Sequence, residues 1–196
     1  MTPLSPLNPA TSALLLMDFQ NDILANNLPP EQAASVMENA TTLLQLARSK
    51  AMPVIHVVVC FRPGHPEISE ANRVFRQIKH NGLFVQGAPG TAIHPQLQPL
   101  AGEAVVRKHR VGAFSGTDLQ TLLRANQVDT LLIAGVATSG VVLSTVRHAA
   151  DQDYRLIVVA DGCADPDAEV HRVLLEKFIA RQAEVVSTAQ VLAAVA

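Results

Sequence analysis

The sequence predicts an α/β protein: a three-layer α/β/α, Rossmann-like arrangement around a six-stranded, mostly parallel sheet. Three observations predict it. Apolar runs such as "SALLLM" and "VIHVVV" do not alternate with polar residues, which suits strands covered on both faces. Strand-like and helix-like segments then alternate almost throughout, the pattern of right-handed crossovers in a parallel sheet. The 196 residues, 48% apolar and 16% charged, can bury one substantial core, and they are read as a single domain over 1–196.

The elements follow in order. Residues 1–11 contain several prolines and predict a loosely ordered leader. "SALLLMDF" is the first strand and "LPPEQAASVMENATTLLQLARSK" the first helix, with proline at its start and Val36, Ala40, Leu43, Leu44 and Ala47 at helical spacing. "MPVIHVVVCF" is the second strand. From Arg62 to Gly102 the chain is rich in Gly, Pro and His, and reads as a long functional loop with short helical pieces. "GEAVVRKH" is the third strand. "TDLQTLLRAN" is a helix, with Thr117 and Gln120 spaced as a capping box. "VDTLLIAG" and "YRLIVVADG" are the fourth and fifth strands, joined by the helix "SGVVLSTVRHAADQD". "DPDAEVHRVLLEKFIARQ" is a helix with Asp165 as N-cap and Pro166 in the first turn. "AEVVST" is a short sixth strand, and a last helix follows it.

Composition excludes several function classes. A net charge of −2, 4% aromatic residues and no tryptophan argue against nucleic acid, and no apolar stretch is long enough to span a bilayer. No Lys or Arg precedes Arg48, and the apolar run Ala13–Met17 is too short for a secretory signal. Cys60 and Cys163 read as free thiols, so a reducing cytoplasm is expected. The seven histidines (56, 65, 80, 94, 109, 148, 171) show no metal-ligand spacing, and neither a G-x-G-x-x-G nor a Walker A motif occurs. Neither a metal nor any other cofactor is expected. His65 in "RPGHP" is read as shaping its loop or contacting substrate.

In a parallel sheet the site lies outside the carboxyl ends of the strands. That selects Asp18, Arg62, Lys108, Gly135 to Val141 and Asp161. Asp18, after a run of apolar residues, suits acid–base work by a partly desolvated carboxylate; it also suits a turn or cap. Lys108 can hold a neighbouring carboxylate, although "RKHR" equally fits a solvated basic face. The amides of "GVATSGV" can converge on an anion at a helix N-terminus, while Thr138 or Ser139 can serve simply as an N-cap.

Three segments, "LLLMDFQND", "GEAVVRKHRVGAFSGTDL" and "LLIAGVATSGVVLSTVRHAADQDYRLIVVADGCAD", together resemble the isochorismatase-like superfamily, also called the cysteine hydrolases. The resemblance runs from about Ala13 to about Val186. It implies the isochorismatase-like fold and a hydrolase with a triad of Asp, Lys and Cys, matched here by Asp18 and Lys108. The family cysteine falls three residues after the threonine of its motif. Here that threonine is Thr138, and the position holds Val141. The resemblance also implies a cis peptide at Val136–Ala137 and a homodimer or higher homo-oligomer.

A valine removes nucleophilic attack by a thiolate. Isochorismatases suggest chemistry that needs none: protonation of a vinyl ether, water capture and release of pyruvate. On that reading Asp18 is the general acid and Lys108 positions it. Ala137, Thr138, Gly140 and Arg62 hold an anionic group of a small-molecule substrate, and Phe19, Phe114 and Val141 wall the pocket. Two further readings stand beside it. One is a degenerate member that binds a small anion or serves as an oligomeric scaffold. The other is an amidase with a relocated nucleophile such as Cys60.

Overall fold

The computed structural model describes residues 4–195. Six strands form one sheet: β1 (Ser12–Met17), β2 (Val54–Val59), β3 (Ala104–Lys108), β4 (Thr130–Val136), β5 (Arg155–Ala164) and β6 (Glu184–Val186). Their order is β3-β2-β1-β4-β5-β6, and every pairing is parallel. The chain runs outward from β1 to β3, then crosses back to place β4 on the other side of β1. Strand order therefore reverses between β1 and β4, where a crevice opens at the carboxyl ends.

Among the described residues seven α-helices accompany the sheet: α1 (Asn21–Asn27), α2 (Pro30–Ser49), α3 (Phe75–His80), α4 (Leu119–Ala125), α5 (Leu143–Ala150), α6 (Ala168–Val173) and α7 (Thr188–Ala194). The two-residue period of β1 divides its side chains between two cores. Leu14 and Leu16 join Leu43 and Leu44 of α2 and Val191 of α7. Leu15 and Met17 join Leu119 and Leu123 of α4 and Val146 and Ala149 of α5. Every residue of β1, β2 and β4 is buried, as two covered faces require.

Several expectations change. Residues 1–3 lie outside the described residues, but 4–11 are docked rather than loose. Leu7 is buried with its amide on Ala194 O, and Arg155 donates to the carbonyls of Ser5 and Pro6. Helix α1 was not anticipated, because only Ile23 and Leu24 of its residues are buried, too few for a periodic signal. The capping box at Thr117 and Gln120 does not form. Helix α4 starts later, at Leu119, and Thr117 Oγ1 donates back to Ala113 O at 2.6 Å while Gln120 reaches Gln152. Asp165 is not the N-cap of α6. Asp167 takes that place, accepting from the amides of Glu169 and Val170, because Asp165 is engaged elsewhere. Asp161 lies within β5 rather than after it, and accepts from the amide and hydroxyl of Thr188.

One close approach fixes how β4 meets β1. Gly135 pairs with Met17, and a Cβ at Gly135 would lie 2.9 Å from Met17 O and 3.0 Å from Met17 Cβ. Gly135→Ala must therefore push on the backbone that carries Asp18. The expected loss is about 1–3 kcal/mol, the usual cost of overpacking. Urea unfolding of the variant would measure it, and an unchanged midpoint would mean that the strands part freely.

Candidate active site

Asp18 follows the last residue of β1 and turns the chain at φ +61°, a left-handed conformation that aspartate tolerates better than most residues. Its amide still donates to Val57 O at 2.8 Å, so the turn begins while the backbone remains tied to β2. Lys108 ends β3, one strand further out, in register with Val59. Because β2 stops at Val59, the lysine side chain can pass over its end. Lys108 Nζ lies 2.9 Å from Asp18 Oδ2, and the two side chains are only 4% and 6% exposed. The ammonium also donates to Arg110 O at 3.3 Å.

The second oxygen of Asp18 is the notable atom. Oδ1 is buried and has no hydrogen-bond partner. A native protein seldom leaves a carboxylate oxygen dry and unpaired, because its desolvation is then uncompensated. Burial pushes the Asp18 carboxyl above its ordinary value, and the charge and hydrogen bond of Lys108, with a smaller contribution from the backbone of Val59, oppose that without cancelling it. The outcome is an acid held above the usual carboxylate range, with one oxygen fixed by an ammonium and the other free.

Gln20, which the sequence reading passed over, holds this end of β1 in place. Its side chain is fully buried; Nε2 donates to Val59 O at 3.0 Å and to Thr91 O at 2.7 Å, and Oε1 accepts from Val59 N at 2.9 Å. The available signal was a polar residue directly after a strand buried on both faces, in "DFQND".

Beyond β4 the Val136–Ala137 peptide is cis, and a wide helical turn spans Thr138–Val142 before α5. Val141 is buried against the same core as Met17 and Phe114. The anion cradle expected here is largely occupied by the chain itself. Ser139 N donates to Asp165 Oδ2 at 2.7 Å, and the amides of Gly140 and Val142 donate to Ala137 O. A carboxylate thus sits at this helix start, as the backbone dipoles favour, but it belongs to Asp165. Thr138 is fully buried; its hydroxyl lies 3.2 Å from Ala164 O and 2.8 Å from His171 Nδ1, which makes it a brace rather than a ligand contact.

Three other expected site residues do not converge. Phe19 is buried in the α2-side core, whereas Phe114 and Val141 belong to the core on the opposite face. Phe114 stacks on His148 instead, with ring centroids 4.7 Å apart. Arg62 is 68% exposed and paired with Glu67 at 2.7 Å. His65 shapes its loop, with Nε2 2.7 Å from Leu83 O.

An open cavity of about 380 Å³ lies past the end of β3, lined by Glu67, His109, Arg110, Ser115 and Gly116. Arg110, whose carbonyl receives Lys108, links it to the buried pair. Glu67 Oε2 is a second buried oxygen without a partner. Neither thiol is activated: burial pushes Cys163 up to about 12 and also raises Cys60. Among the described residues no cluster of His, Cys, Asp or Glu is arranged to hold a metal ion, and no helix is long and apolar enough to cross a membrane.

An all-parallel sheet with an acid–ammonium pair at its switch point defines the class of protein as an α/β/α fold with an acid–base site at the strand ends. Comparison narrows the class. The model of the isochorismatase domain matches residues 12–190, and the chain belongs to the isochorismatase family. It is 32% identical over 178 residues to a maleamate amidohydrolase of Pseudomonas putida, covering 89% of this chain and 82% of that protein. It is likewise 32% identical over 187 residues to a probable isochorismatase of Pseudomonas chlororaphis, covering 94% and 86%. The crystal structure of an isochorismatase family protein from Desulfovibrio vulgaris superposes with a TM-score of 0.82 at 31% identity, covering 93% of this chain and 98% of that one.

Proposed function

We propose that this protein hydrolyses a small anionic substrate of the vinyl-ether type, such as isochorismate, using Asp18 as general acid and no covalent thiol intermediate. The observation that carries the reading is the free, buried Oδ1 of a carboxyl raised by burial and held through its other oxygen by Lys108.

The steps follow from that geometry. Protonated Asp18 gives its proton to the terminal carbon of the C=C bond, whose π electrons form the new C–H bond. The remaining cation is an oxocarbenium ion. Water adds to it and loses a proton, which returns to Asp18. The hemiketal then breaks its C–O bond as its hydroxyl oxygen forms the C=O and the hydroxyl proton passes to the leaving oxygen, releasing an alcohol and a ketone, pyruvate in the case of isochorismate. Lys108 positions Asp18 throughout, and its ammonium stabilises the carboxylate left after the first transfer. Val141 stands where the resemblance puts the nucleophile, and this route does not require one.

A second reading has one observation in its favour. Asp165 already occupies the Ser139 amide, which leaves an external anion fewer donors, as in a member that has lost turnover and binds or scaffolds instead. A relocated thiol has less support, since burial raises both cysteines.

The test offers isochorismate, nicotinamide and a panel of small carbamoyl and amide compounds, with pyruvate and ammonia followed before and after iodoacetamide. Pyruvate release that survives alkylation is expected. Ammonia release blocked by alkylation would establish an amidase with a thiol elsewhere, and binding without turnover would favour the degenerate reading.

A further inference from the structure

The acid proposed above is sealed. Asp18 Oδ1 is buried, and the side chains of Asp18 and Lys108 are only 6% and 4% exposed. A substrate that takes a proton from Asp18 cannot reach it in this conformation, so a covering segment has to move. The chain between β3 and α4 crosses the place in question. Its half-buried Val111 packs with the α2-side core, whereas Ala113 and Phe114 are buried in the core of the opposite face. The segment therefore passes over the carboxyl edge of the sheet. It starts at the end of β3 and touches the turn and helix that follow β4. A Cβ at Gly140 would lie 4.0 Å from Val111 Cγ1, one at Gly112 would lie 3.3 Å from Ser144 Cβ, and Ala113 N donates to Thr145 Oγ1 at 3.1 Å. In the strand order β3-β2-β1-β4, a chain that joins those two places runs over the ends of β2 and β1, where Asp18 lies.

This strap is anchored at both ends and loosely held between them. His109 Nδ1, 2.6 Å from Cys60 O, fixes one end, and Ala113 on Thr145 fixes the other. Among the described residues, no backbone amide of 110–112 makes a hydrogen bond. The stretch is held instead by Lys108 Nζ on Arg110 O and by Arg110 Nη1 on Glu67 O, each at 3.3 Å. So sparse a backbone network marks a segment that opens locally, and Gly112 gives it freedom to turn. His109, Arg110, Ser115 and Gly116 line the open cavity of about 380 Å³, while the Arg110 carbonyl turns inward to Lys108. The strap thus lies between the open cavity and the buried pair. We propose that 110–112 is a gate, which lifts to admit substrate from that cavity to Asp18 and closes over it. The inference rests on the reading of Asp18 as the acid that meets substrate. Opening also releases the Arg110 carbonyl from Lys108, which leaves the ammonium to Asp18 and the substrate.

The test ties the strap shut. Gly112→Cys with Ser144→Cys brings two Cβ atoms close to the separation of about 3.5–4.5 Å that a disulfide needs. Access to Asp18 is read by labelling with a water-soluble carbodiimide and glycine ethyl ester, followed by peptide mass spectrometry, which also reports whether the bond has closed. The oxidised double variant is expected to label at Asp18 about tenfold or more slowly than its reduced form, because labelling follows the open population. The wild type should label equally under both conditions, since its two cysteines are buried and free. Val111→Ala, which trims the contact with Gly140 and adds no bond, should label faster than the wild type and carries the test where the disulfide does not close. Equal labelling of the oxidised and reduced forms would overturn the proposal, and so would an unchanged rate in Val111→Ala. Pyruvate release is followed in the same samples. Release that stops on oxidation and returns on reduction supports gate and acid together. Labelling that responds to the lock while no form releases pyruvate would keep the gate and remove the vinyl-ether reading.

Discussion

Asp18→Asn is expected to lower turnover of the vinyl-ether substrate about 10²–10⁴-fold, the range that a positioned general acid contributes. The substitution keeps size and shape and removes the transferable proton together with the charge of the ionised form. The Asn side-chain oxygen can still accept from Lys108 in place of Oδ2, now 2.9 Å from Nζ. Substrate binding should therefore change far less than kcat, and the circular dichroism spectrum should match the parent. Pyruvate release at several substrate concentrations separates the two parameters. A variant that kept parental kcat would eliminate Asp18 as the acid and with it the proposed mechanism.

Lys108→Met should have the largest effect on stability, with a pH dependence of definite sign. Removing one partner of a buried ion pair ordinarily costs about 3–5 kcal/mol, because the other charge is left dry and unpaired. Asp18 can escape part of that cost by taking a proton. Its folded pKa already lies above the unfolded value through burial, and loss of the opposing Lys108 charge raises it further. A carboxyl raised on folding contributes stability that is present below its unfolded pKa and lost as pH rises through its folded pKa. The Lys108→Met penalty should therefore be largest in alkaline urea titrations and shrink as pH falls toward the ordinary carboxyl range. The same shift should carry the alkaline fall of any remaining activity to higher pH. An equal penalty at pH 5 and pH 8 would show that Asp18 does not respond to Lys108.

How much of this was legible in the sequence depends on the distance over which each feature is decided. The parallel sheet followed from unalternating apolar runs and the alternation of strands with helices, whereas the order of its strands did not. Asp18 and Lys108 were legible as residues at strand ends, and the resemblance singled both out. Their meeting was not: β2 lies between their strands, so contact depends on where that strand stops. Phe19 and Phe114 show a related limit. Both looked suited to a pocket wall, but each met an apolar surface nearby, on opposite faces of the sheet.

Asp165 shows the same limit. Its sequence context, followed by proline and a helical pattern, reads as an N-cap. The amide it takes is that of Ser139, 26 residues earlier, brought close where β4 and β5 run side by side. Asp167 was left to cap α6. Gln20 was missed because a polar residue after a strand is ordinary, and only its fully buried position shows that its amide clamps β1, β2 and the Thr91 segment together.

By itself, the sequence determined the class of fold, the strand ends that carry the functional groups and a valine at position 141. Those depend on local pattern and residue identity. The tertiary structure decided which groups meet, which are dry and which are already satisfied. It paired Asp18 with Lys108 and left one oxygen free, and it filled the Ser139 amide with Asp165. The physical reason is that desolvation and hydrogen-bond satisfaction are set by neighbours distant in the chain, and these settle only when the sheet has closed around them.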